Sequence, residues 1–77
     1  MFTEKKIISI ISKSLKAKIN IDSNINNTEN WDSIGHLEIL SSLDKFSKGK
    51  ISKINEISDT TSVKSIIKIL SKKKLLK

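Results

Sequence analysis

The chain has 77 residues with fifteen Lys, no Arg, no Cys, no Pro and two Gly, and carries a formal net charge of +7. A chain this short holds one domain with a small core. Without cysteine it has no disulfide, no thiolate metal site and no thiol nucleophile of its own. So few chain breakers, with abundant Ile, Leu and Lys, favour an all-helical fold over a sandwich or barrel.

The first predicted helix covers residues 4–17. Thr3 supplies an N-cap, and Glu4 suits the positive end of the helix dipole. Ile7, Ile8, Ile10, Ile11 and Leu15 share an arc of about half the circumference, with Lys6, Lys13 and Lys16 outside it. Residues 18–32 read as a long first loop rich in Asn, Asp, Ser and Thr. Ile19, Ile21 and Ile25 are expected to pack that loop onto the helices. Loops this long in so small a domain are often functional.

The second predicted helix covers residues 33–47. Ile39, Leu40, Leu43 and Phe46 form its expected core stripe, while Ile34 and Leu37 lie on another side beside Ser33 and Glu38. Two exposed aliphatics there suggest a contact surface. His36 falls toward Leu40 and Leu43 and reads as a half-buried structural histidine. With no Cys and no second His, no metal site is expected. Gly49 suits the C′ position that ends this helix. Ile51, Ile54 and Ile57 recur every third residue, and one short helical turn is expected over 53–57. Ser62 caps the last predicted helix, 62–73, whose buried stripe is Val63, Ile66, Ile67 and Leu70. Lys72, Lys73 and Lys74 suit its negative end, and Leu75, Leu76 and Lys77 are expected to fray. Residues 1–77 make a single domain with no internal repeat.

The most informative stretch is Trp31-Asp32-Ser33-Ile34-Gly35-His36-Leu37-Glu38. It sets an Asp-Ser pair where the long loop opens onto the second helix. A serine there stands beside backbone N–H groups that favour an anion. Its hydroxyl can cap the helix, or it can carry a phosphate ester. Gly35 offers no side chain and is expected to leave room close to the serine.

That run, with the order helix, long loop, helix, short turn, helix, resembles the acyl carrier proteins. The likeness covers roughly residues 3–71 and includes Trp31, the aliphatic Ile34 and the Thr61-Ser62-Val63 start of the last helix. The resemblance implies a small four-helix bundle with a short third helix. It implies that Ser33 is the attachment point of 4′-phosphopantetheine, joined by a phosphopantetheinyl transferase that uses coenzyme A, with Asp32 adjacent. The arm's thiol would carry an acyl or aminoacyl group as a thioester, so the missing sulfur would arrive with the cofactor. Ile34, Leu37, Glu38 and Ser41 would face partner enzymes: the transferase, a loading ligase and acyl-transferring enzymes. The chain would itself catalyse nothing, and would act as a monomer that raises the effective concentration of a tethered group. Carriers of this family are usually acidic and this chain is basic, which points to a specialised pathway rather than bulk fatty-acid synthesis.

The charges are segregated. Residues 1–18 sum to +4, residues 19–44 to −5 and residues 45–77 to +8. The acidic island holds the Asp-Ser pair and would draw a basic partner surface toward it. The rival reading is a small basic helical protein that binds nucleic acid. Against it stand the absence of Arg and three aromatics, Phe2, Trp31 and Phe46, that form no stacking platform. No apolar run approaches a membrane span. A membrane-surface role for residues 4–18 is disfavoured because the core needs that apolar stripe. The expected partners therefore include neither nucleic acid nor membrane, and the expected location is the cytoplasm.

Overall fold

The computed structural model describes residues 1–77. Helix α1 is Glu4–Leu15, α2 is Ser33–Phe46 and α3 is Val63–Lys72, with two 3-10 helices, Ile51–Lys53 and Asn55–Asp59, between α2 and α3. The chain is all-helical and compact, with principal extents of 28 × 20 × 18 Å. Three α-helices are present rather than the expected four. Helix α1 packs on α2 and α3, and the 3-10 segment packs on α2 and α3. Ile7, Ile11, Ile39, Leu43, Val63, Ile66 and Leu70 are fully buried between these elements.

Local capping starts each helix. Thr3 Oγ1 accepts from the Lys6 N–H at 3.0 Å. Ser62 Oγ accepts from the Ser65 N–H at 3.1 Å, and Ser65 Oγ accepts from the Ser62 N–H at 3.2 Å, a reciprocal box. Helix α1 ends two residues short of the expected boundary, because Lys16 turns left-handed (φ 54°). Helix α2 ends with a 6→1 bond from Gly49 N–H to the Asp44 carbonyl and a 5→2 bond from Lys48 N–H to the Lys45 carbonyl. The left-handed C′ position therefore belongs to Lys48 (φ 59°), and Gly49 stands one place later than expected. Helix α3 closes the same way through Lys74 (φ 61°) and Leu75.

The short third helix expected over 53–57 is replaced by the two 3-10 helices. A 3-10 helix repeats every three residues. That pitch does not run unbroken through the segment: Ile54, extended at φ −107°, joins the two helices, and Ile51, Ile54 and Ile57 are all buried.

Three further expectations are corrected. Phe46 is 42% exposed and Leu40 half-buried, so the buried stripe of α2 narrows to Ile39 and Leu43. Ile21 and Ile25 are exposed; Ile19 packs against the core as expected, and the buried Trp31 and Ser23 seat the long loop with it. The loop is also hydrogen-bonded to the start of α3, through Val63 N–H to the Ser23 carbonyl at 3.0 Å and Ile25 N–H to the Thr61 carbonyl at 2.8 Å. The C-terminal residues do not fray. Phe2 N–H donates to the Leu75 carbonyl at 2.8 Å and Lys77 N–H to the Phe2 carbonyl at 2.6 Å. Phe2 is thereby held 1% exposed.

Gly35 is buried where the long loop crosses α2. A Cβ there would run into the Asn30 carbonyl oxygen and stand 2.8 Å from Leu15 Cδ2. The missing side chain thus makes room for the loop backbone, not for the serine. Gly35→Ala should destabilise the fold by about 1–3 kcal/mol, as overpacking does, read as a lower denaturant midpoint at unchanged m-value. Lys74→Gly should stabilise it by about 1 kcal/mol, because glycine adopts positive φ without the Cβ clash, read as a raised Tm.

Candidate functional site

The site forms where the long loop meets the first turn of α2. Asp32 is the N-cap: its backbone is extended, and its Oδ1 accepts from the Gly35 N–H at 2.8 Å. Its carbonyl accepts the first helical bond, from His36 N–H, at 2.8 Å. Ser33 is the first helical residue, so the capping role open to it in the sequence falls to its neighbour. Its Oγ makes no hydrogen bond within the protein, and the residue is exposed. The backbone N–H groups of Ser33 and Ile34 are also without a protein partner. A hydroxyl free to react thus stands beside two free amide donors at the positive end of a helix, a setting that stabilises an attached anion.

Four hydrogen bonds and one close backbone approach hold this junction. Asn30, left-handed at φ 66°, donates from Nδ2 to the Leu15 carbonyl at 2.8 Å, tying the loop to the end of α1. Its own carbonyl lies against Gly35. Trp31 is buried, and its indole N–H donates to His36 Nδ1 at 3.2 Å. Because Nδ1 accepts, the ring proton is on Nε2, which donates to the Ile57 carbonyl at 3.3 Å. Thr60 Oγ1 donates to the same carbonyl at 2.7 Å. His36 therefore rivets α2 to both the loop and the second 3-10 helix. It is half-buried, as its place on the helix implies. Sequence reasoning gave no role to Asn30 or Thr60. For Asn30 the available signal was residue type, since Asn tolerates the left-handed region better than most.

Around Ser33 the surface is apolar and acidic. Ile34 is 71% and Leu37 65% exposed, and Glu38 and Ser41 are exposed on the same helix. Neither Asp32 nor Glu38 is in an ion pair; the two pairs in the molecule are Lys64–Asp22 at 3.1 Å and Lys73–Glu56 at 3.4 Å. Asp44 is only partly available, because its Oδ1 accepts from Ser52 N–H at 2.9 Å and secures the first 3-10 helix. A concavity of about 450 Å³ lies beside Ser33, lined also by Asp32, His36, Leu37 and Thr60. It adjoins a second of about 350 Å³ that shares Leu37, Leu40 and Ser58 and is floored by Ile51, Ile54 and Ile57. The two form one groove between α2 and the 3-10 segment. No group of three or more His, Asp and Glu side chains is placed to hold a metal ion. No helix is long and apolar enough to cross a membrane.

Comparison with protein-family models, with curated proteins and with solved structures finds no match to this chain.

The division of labour between the two adjacent residues is measurable. Asp32→Ala should cost about 1 kcal/mol, the usual worth of an N-cap, whereas Ser33→Ala should change stability by less than about 0.5 kcal/mol. Parallel denaturation curves of the two variants check this.

Proposed function

We propose that the chain is an acyl or aminoacyl carrier protein, holding its cargo as a thioester on a 4′-phosphopantetheine arm attached to Ser33. One observation carries the reading: the Ser33 hydroxyl is exposed and unengaged at the first position of α2, while Asp32 does the capping. A serine retained only to start the helix would be the one accepting a first-turn N–H.

The surroundings suit such a group. Attachment makes an Oγ–phosphorus bond and breaks the pyrophosphate of coenzyme A, with adenosine 3′,5′-bisphosphate leaving. The transferase, not this chain, supplies the base for the serine proton. The new phosphodiester keeps one negative charge, and the free N–H groups of Ser33 and Ile34 and the dipole of α2 offset its closeness to Asp32. The arm supplies the thiol that the cysteine-free sequence lacks. Leu37, Leu40, Ile54 and Ile57 along the adjoining groove give an apolar floor to a group held near the serine.

In this reading the fold corresponds to the four-helix carrier arrangement, with the two 3-10 helices standing where that family has its short third helix. Ile34, Leu37, Glu38 and Ser41 form the face offered to the transferase, to a loading ligase and to acyl-transferring enzymes. Unpaired Glu38 and Asp32 favour partners with a basic rim, chiefly through encounter rate. The basic net charge fits a dedicated carrier in a specialised pathway of the cytoplasm, acting as a monomer that catalyses no step.

Incubation with coenzyme A and a broad-specificity phosphopantetheinyl transferase should raise the intact mass by one phosphopantetheinyl group. Ser33→Ala should show no gain. Glu38→Lys should slow the reaction roughly tenfold at low ionic strength and flatten its salt dependence. A wild-type chain of unchanged mass, or an equal gain in Ser33→Ala, would overturn the proposal.

A further inference from the structure

The far end of α2 carries a second surface that the carrier reading leaves unused. Phe46 is the last residue of α2, about 20 Å along the helix axis from Ser33 at a rise of ~1.5 Å per residue. The residue is 42% exposed, and its ring lies 5.0 Å from the ring of Phe2. Met1, 73% exposed, borders it. Lysines surround this apolar spot. Lys6 Nζ stands 5.0 Å from the Phe46 ring centroid. Lys13 shares the concavity between α1 and Phe46, and Lys48 and Lys50 line the one between Phe2 and Phe46.

None of these four lysines is in an ion pair, since the only two pairs use Lys64 and Lys73. No carboxylate lines either concavity. Glu4 is the nearest acid in α1, yet Lys6 and Lys13 lie about half a turn of the helix away from it and within about 20° of each other. The patch is therefore a ring of unneutralised cations around exposed apolar side chains.

We propose that this end of the molecule is a peripheral docking surface for membranes rich in anionic lipid. Clustered lysines next to such a membrane add their attractions to its negative surface potential. Exposed Phe and Met sit well at the boundary between headgroups and acyl chains. Lysine is a compact point charge without a fixed fork, and needs only a diffuse anionic layer, whereas base or phosphate recognition in a nucleic acid favours Arg, of which there is none. The surface differs from the apolar stripe of α1, which is consumed by the core through Ile7, Ile10, Ile11 and Leu15. It also revises the expectation that the membrane is no partner. A molecule lying on its Phe46 end keeps Ser33 and the acidic rim turned toward solvent, so docking is compatible with the proposed carrier role without depending on it.

Co-sedimentation with vesicles tests the inference. The wild-type chain should bind vesicles of phosphatidylglycerol mixed with phosphatidylcholine, and not phosphatidylcholine alone, and molar salt should release it. Lys13→Gln with Lys50→Gln should weaken binding at least tenfold, whereas Lys53→Gln with Lys68→Gln, which removes equal charge elsewhere, should weaken it less than twofold. Thermal melts establish that each variant is folded, and Ser33→Ala should bind as wild type whether or not Ser33 is ever modified. Absence of binding to the anionic vesicles, equal loss in the two double variants, or tighter binding to a single-stranded DNA homopolymer than to the vesicles would overturn it.

Discussion

The structure depends on how closely the main chain of Asn30 approaches α2. That approach needs a residue without a Cβ at position 35, and Gly35 provides it. Once the loop is seated, its chain direction carries Trp31 inward and brings Asp32 to the N-cap, where its carboxylate takes the Gly35 N–H. The next residue, Ser33, is then the first helical one and projects outward with nothing to bond. Asn30 supports the same crossing by capping the end of α1 with its amide, so one residue joins two helices.

The core and the site are coupled through His36. Its two ring nitrogens link the buried indole of Trp31 to the Ile57 carbonyl, in the second 3-10 helix. That carbonyl also receives the Thr60 hydroxyl, so the segment bordering the groove beside Ser33 is held by polar bonds as well as by the inward Ile51, Ile54 and Ile57. Buried polar groups left without partners cost about 1–3 kcal/mol each. In a 77-residue domain such a network is a large share of net stability. No buried side-chain nitrogen or oxygen is left unsatisfied.

Signals that act over a few residues were legible in the sequence. The caps at Thr3 and Ser62, the apolar faces of α1 and α3, and the exposure of Ile34 and Leu37 all follow from residue type and helical spacing. What was not legible depends on contacts between distant parts of the chain. Asp and Ser are nearly equal as N-caps, so only the seating of Asn30 decides which of Asp32 and Ser33 caps α2. The pairing of Phe2 with Leu75 and Lys77 joins the two ends, and no local pattern announces it. The three-residue recurrence of Ile51, Ile54 and Ile57 was visible, but not the extended Ile54 that divides the segment into two 3-10 helices so that all three face one core. The left-handed Lys16, Lys48 and Lys74 occupy positions where glycine is usual.

The proposed role rests on one oxygen atom, the Ser33 hydroxyl left free by its neighbour's capping bond. The most direct measurement is fragment-ion mapping of the tryptic peptide 19–45 after reaction with coenzyme A and a phosphopantetheinyl transferase. That peptide also carries Ser23, Thr28, Ser41 and Ser42, which serve as internal controls. The account predicts a single adduct on Ser33 with those four hydroxyls unmodified. An adduct on any of the four, or a peptide recovered only at its unmodified mass, would contradict it.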